Sequence, residues 1–106
     1  MEQIVLVTTT VDDRAAADAL AAAAVADRHA ACAQVSGPIA STYRWQGRVE
    51  TAAEWLVQFK TAADRADELV GHIRDRHPYD VPEVVVTPVV GGNPEYAAWV
   101  LAETRR

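Results

Sequence analysis

The chain is short of the features that mark secreted, membrane-spanning or nucleic-acid-binding proteins. Cys32 is its one cysteine, so no intrachain disulfide can form, and a reducing compartment is the expected setting. No apolar run reaches the roughly 18 residues that a bilayer-crossing helix needs. The alanine-rich stretch Ala15 to Ala26 comes nearest, and Asp18 interrupts it. The opening residues, MEQIVLVTTT, lack the basic region and cleavage site of a signal peptide, so a cytoplasmic location is expected. Positive charge is scarce as well. Ten Lys and Arg against fifteen Asp and Glu give a net charge of −5, which argues against a nucleic-acid or anionic-membrane partner. Nor is there a nucleophile with its base, a nucleotide-binding loop or a closed set of metal ligands. Gly91-Gly92 ahead of a helix reads as a turn. A binding protein is expected, not an enzyme.

What is present is a long alternating stretch. With 106 residues and 50% hydrophobic content, the chain suffices for one compact domain, residues 1–106. Ile39 to Thr61 reads as two strands folded back at Gln46-Gly47. In the second strand Val49, Thr51, Ala53, Trp55, Val57 and Phe59 share one face, and Glu50, Ala52, Glu54, Leu56, Gln58 and Lys60 the other. A period of 2 sustained this long is a strand. Strands usually run about 5–6 residues, so one twice that length must overhang a small domain. Its unpaired N–H and C=O groups then invite a second chain.

The other elements follow in order. Ile4 to Thr10 is β-branched and apolar, which suits a central strand. Asp12 and Asp13 open a helix that runs to about Arg28. Ala31 to Val35 is extended, and Gly37-Pro38 forces a bulge or an edge position. Asp64 and Asp67 open a second helix whose apolar face is Ala66, Leu69, Val70, Ile73 and His77, and Pro78 stops it. His72 falls on its polar side and is expected to be solvated. Glu83 to Val90 is a strand with Pro88 marking an edge or bulge. Asn93-Pro94 caps a last helix with Tyr96, Trp99 and Val100 as its apolar face. The order predicts an α+β fold, a ferredoxin-like β-α-β-β-α-β sandwich with an added C-terminal helix and a long hairpin.

Ala31-Cys32-Ala33, Ser41 to Glu50 (STYRWQGRVE), Lys60-Thr61, His77 to Glu83 (HPYDVPE) and Gly92-Asn93 together resemble the CutA family of divalent-cation tolerance proteins. The resemblance covers almost the whole chain. It implies a homotrimer with hairpins exchanged between neighbours, and a link to copper and other divalent cations. The fold also resembles the PII signalling proteins, which bind small effectors between subunits, so a PII-like sensor or a scaffold for a protein partner is the alternative reading. Family members with a proposed copper site use a cysteine at the end of the first strand and paired histidines before the H-P-Y proline. Here Thr8 and Arg76 stand in those places, and only His77 remains.

Two constellations could carry chemistry. With a two-residue turn at Gln46-Gly47, Trp45 lies opposite Arg48 and Tyr43 opposite Glu50. Tyr43, Trp45, Glu50, Lys60 and Tyr79 are then candidates for an intersubunit ligand cleft, or for trimer contacts with Trp45 stacked on Arg48. His77, Glu83 and Cys32 are the candidate metal ligands, since imidazole and thiolate suit copper. The plainer alternatives are a helix-capping His77 bonded to Glu83, and Cys32 as a small buried apolar residue. His29 and Cys32 straddle a helix-to-strand junction and are not expected to share a metal.

Overall fold

The computed structural model describes residues 3–105. Its elements are β1 (Ile4–Val11), α1 (Arg14–Ala26), β2 (Cys32–Trp45), β3 (Arg48–Ala62), a 3-10 turn (Ala63–Arg65), α2 (Ala66–Arg76), β4 (Val84–Pro88) and α3 (Pro94–Glu103). The strands form one antiparallel sheet in the order β2-β3-β1-β4, the ferredoxin-like arrangement with an added helix. β1 is central, as its β-branched apolar run requires. The last strand is shorter than Glu83 to Val90, because only Val84–Pro88 pairs with β1.

Local chemistry sets the element ends. Asp13 caps α1 by accepting from the Ala16 N–H at 3.1 Å, and Asn93 caps α3 by accepting from Glu95, with proline at the start of the helix. α1 ends where Arg28 takes φ 60, the left-handed conformation that reverses the chain after a helix. At the hairpin tip Gln46 (φ 49) and Gly47 (φ 79) are both left-handed, as a two-residue type I′ turn demands. The register places Trp45 opposite Arg48 and Tyr43 opposite Glu50. Gly37-Pro38 sits on an edge strand and interrupts the ladder between Ser36 and Ile39, so both expectations for that dipeptide hold together.

Alternation divides the sheet into two faces. Val5, Val7, Val11, Val57 and Phe59 point to α1 and α2 and pack on Ala17, Leu20, Leu69 and Ile73 as the main core. Leu6, Thr8, Leu56, Gln58 and Lys60 point the other way, where among the described residues α3 covers one end through Ile4, Ala31, Ala97 and Val100. Tyr96 and Trp99 of the last helix stay exposed; Ala97 and Val100 are its buried face. β1 ends at Val11 opposite Trp55, so beyond that point β3 pairs with β2 alone. The two-stranded ribbon carries the overhang, and the molecule measures 44 × 25 × 21 Å. Trp45 is 53% and Val49 64% exposed at its end.

Candidate functional cleft and a histidine cluster

The ribbon and the segment after α2 line an open cleft of about 690 Å³. Four of the five predicted cleft residues line it: Tyr43, Trp45, Glu50 and Tyr79. Glu83, predicted as a metal ligand, joins them, as do Arg44, Glu54 and Asp80. Lys60 does not. It lies farther along the sheet, opposite Cys32, with its Nζ donating to Gln34 at 3.0 Å. Glu54, only 7% exposed, lies on the Glu50 face as the alternation places it, and it lines the cleft although it is not among the five predicted cleft residues.

His77 builds this cleft from behind. The Thr10 carbonyl can only accept, so Nε2 of His77 donates to it, at 2.8 Å. Nδ1 in turn accepts the Tyr79 N–H at 3.1 Å. The partners therefore fix a neutral ring with its proton on Nε2. Tyr79, packed edge-on against His77 at 4.7 Å between ring centroids, donates its hydroxyl to Glu54 at 2.8 Å. Burial, then Glu54, raises the Tyr79 pKa well above its ordinary range, which keeps the phenol a donor. Thr9 pins the same segment by donating to the Glu83 carbonyl at 2.6 Å. The partner of His77 is thus Thr10, not Glu83 as the helix-cap alternative held.

Both His77 nitrogens are committed to the protein, and His77, Glu83 and Cys32 do not converge among the described residues. They do not fit a copper site within one protomer. His77→Ala should leave the Thr10 carbonyl and the Tyr79 N–H unpaired in a site where His77 is 8% exposed. Loss of about 2–3 kcal/mol is expected, read by chemical denaturation. An unchanged midpoint would contradict the clamp.

Cys32 is half-buried, with Sγ 3.3 Å from the Tyr96 hydroxyl, rather than lost in the apolar core. Burial and that contact push the Tyr96 pKa up to about 12. Among the described residues the cation–π contact is Arg14 over Trp55 at 5.2 Å, not Arg48 on Trp45.

His72 is not solvated. It is 7% exposed, and its Nε2 lies 3.0 Å from Asp27 Oδ2. The His29 ring tilts against it at 4.6 Å, and Arg65 donates to His29 Nδ1 at 3.2 Å. Burial, followed by the nearby His72 and Arg65 charges, lowers the His29 pKa and favours its neutral form. The signal for His72 was present: it stands three residues after Leu69, on the flank of α2 that faces α1.

A family model for the CutA1 divalent ion tolerance protein matches residues 5–103. The chain is 38% identical over 104 residues to the divalent-cation tolerance protein CutA of Thermus thermophilus, covering 98% of this chain and 99% of that one. It is 39% identical over 101 residues to the chloroplastic protein CutA 1 of Oryza sativa, covering 95% of this chain and 57% of the plant protein. The chain therefore spans little more than half the length of that relative. The crystal structure of CutA from Xylella fastidiosa superposes with a TM-score of 0.94 at 33% identity, covering 97% of this chain and 99% of that chain. Fold, hairpin register and near-full-length similarity converge: the chain belongs to the CutA1 divalent ion tolerance protein family.

Proposed function

We propose that this protein is a cytoplasmic homotrimer serving divalent-cation tolerance, which contacts the cation, copper included, at an accessory site instead of storing it. The supporting observation is the cavity beside the overhanging ribbon. Glu50, Glu54, Asp80 and Glu83 line it with Tyr43, Trp45 and Tyr79, and Arg44 is the one cation among its lining residues. Carboxylate oxygens suit divalent cations, and among first-row metals Cu(II) binds most tightly to a given donor set. In this reading Glu50 and Glu83 contact the ion and His77 holds the wall, because both of its nitrogens are already engaged. Trimerisation would seat a neighbouring ribbon over the cleft and the open sheet face.

The test is native mass spectrometry of the purified protein titrated with Cu(II) and then Zn(II). A trimer that takes up metal, and takes up fewer ions in the Glu50→Gln/Glu83→Gln variant while His77→Ala takes up as many as the wild type, is the expected result. A trimer that stays metal-free would overturn direct cation contact and turn the cleft towards a small metabolite, as in a PII-like sensor.

A further inference from the structure

The Asp27, His29 and His72 cluster lies on the far side of the sheet from the open face, between the end of α1 and the middle of α2. Each of the three residues offers one donor atom, and these atoms lie within 4.8 Å of one another. Among the described residues no other group of three His, Cys, Asp or Glu side chains converges in this way. We propose that the cluster is a transition-metal site, of the two-imidazole, one-carboxylate kind that takes Zn(II) or a neighbouring divalent ion. This site is separate from the cleft, and the inference does not depend on the cleft reading.

The fold brings the donors together for reasons legible in the backbone. α1 stops at Ala26, and the left-handed Arg28 turns the chain so that His29 returns beside the helix it has just left. His72 projects from α2 into the same gap. His29 N–H is tied to the Ala24 carbonyl at 2.9 Å, which fixes the main chain below the ring. The histidines are thus carried by ordered backbone, and Asp27 supplies the more exposed lip, with its side chain 53% accessible. An ion could enter there.

Distances and chemistry agree with a metal. Zinc bonds of about 2.0–2.1 Å in a tetrahedral set put donor atoms about 3.3 Å apart. Asp27 Oδ2 and His72 Nε2 stand 3.0 Å apart, close to such an edge. The ion would replace the proton these two atoms now share, and His29 would close on it by a small side-chain movement. Two imidazoles and one carboxylate leave a fourth position open, as in zinc sites that keep a water. With the ion on Nε2 of His72 the ring proton moves to Nδ1, which is buried with no hydrogen-bond partner among the described residues, and this cost lowers the affinity.

Opposing charge is present and sets a limit on affinity. Arg65 reaches His29, and Arg76 Nη2 is 3.9 Å from Asp27 Oδ2. Arg65 has other partners to fall back on, the Arg28 carbonyl at 3.3 Å and Glu68 at 3.4 Å. Arg76 is held by its own helix through the His72 carbonyl at 3.2 Å. Negative charge from the C-terminal end of α1 offsets part of their repulsion.

The experiment is calorimetric titration of the metal-stripped full chain with Zn(II), with Cu(II)-loaded samples examined by electron paramagnetic resonance. In the Glu50→Gln/Glu83→Gln background, which lacks the cleft carboxylates, one ion per chain is expected, with coupling from two nitrogens. His29→Ala and Asp27→Asn, both at accessible positions, should each weaken binding by roughly tenfold or more, and His29→Ala should leave one coupled nitrogen. His72→Gln probes the buried donor, and its thermal melt separates loss of metal from loss of fold. Glu50→Gln/Glu83→Gln removes only the ions that the cleft takes and should keep this nitrogen-bound one. No uptake by the wild type, undiminished uptake in both His29→Ala and Asp27→Asn, or uptake abolished only by the cleft variant would each overturn the proposal.

Discussion

Gly37→Ala is expected to cost about 3 kcal/mol or more, a large share of the stability of a domain this small. Gly37 has φ +145, where a side chain is strained, and its added Cβ would lie 2.9 Å from Trp55 Cε3 and 3.0 Å from the Glu54 carbonyl oxygen. Strain and overpacking each contribute about 1–3 kcal/mol. Neither neighbour yields easily. The carbonyl belongs to the β3 backbone, and Trp55 packs against the main core with Arg14 over its ring. Glu54 is the carboxylate that receives Tyr79, so the distortion should also reach the cleft. Denaturant unfolding of Gly37→Ala beside Gly91→Ala separates the causes. Gly91 has open space around it and should shift stability by less than about 0.5 kcal/mol. Two variants that unfold alike would remove the close-approach argument.

Trp45→Ala combined with Val49→Ser should dissociate the proposed trimer at concentrations where the parent remains assembled. Both side chains stand on the ribbon beyond the last residue that β1 pairs with, and both are exposed, Trp45 by 53% and Val49 by 64%. Tryptophan is among the residues whose truncation at interfaces most often costs 2 kcal/mol or more. A joint loss of about 3 kcal/mol corresponds to an apparent dissociation constant raised about 100-fold. Light scattering behind a sizing column, run over a dilution series, reads this directly. The protomer itself should keep its secondary structure, because the core lies on the opposite side of Trp55. A variant that stays trimeric across the series would mean that the ribbon tip is not where the subunits hold one another.

How much of this was readable in the chain depends on how local its cause is. Period-2 alternation from Val49 to Phe59, the left-handed pair Gln46-Gly47 and the caps Asp13 and Asn93 are short-range matters, and they placed the hairpin, its register and the helix starts. The same alternation put Tyr43, Trp45 and Glu50 on one surface, and the structure lines a single cavity with them. Lys60 shares their face but sits at the other end of the strand; parity says which side a residue points to, not what stands above it.

Histidine was the least legible residue. A helix pattern assigns His72 to a flank, but whether that flank meets water or α1 depends on how two helices distant in sequence pack together. Asp27 and His72 are 45 residues apart and meet at 3.0 Å. His77 and Thr10, 67 residues apart, meet at 2.8 Å. The sequence by itself determined the elements, their order and the long hairpin, since each rests on backbone preferences spread over a few neighbouring residues. Only the tertiary structure decided which polar side chains met, because a hydrogen bond between distant residues exists once the core has brought their elements to within 3 Å, and nothing local encodes that distance.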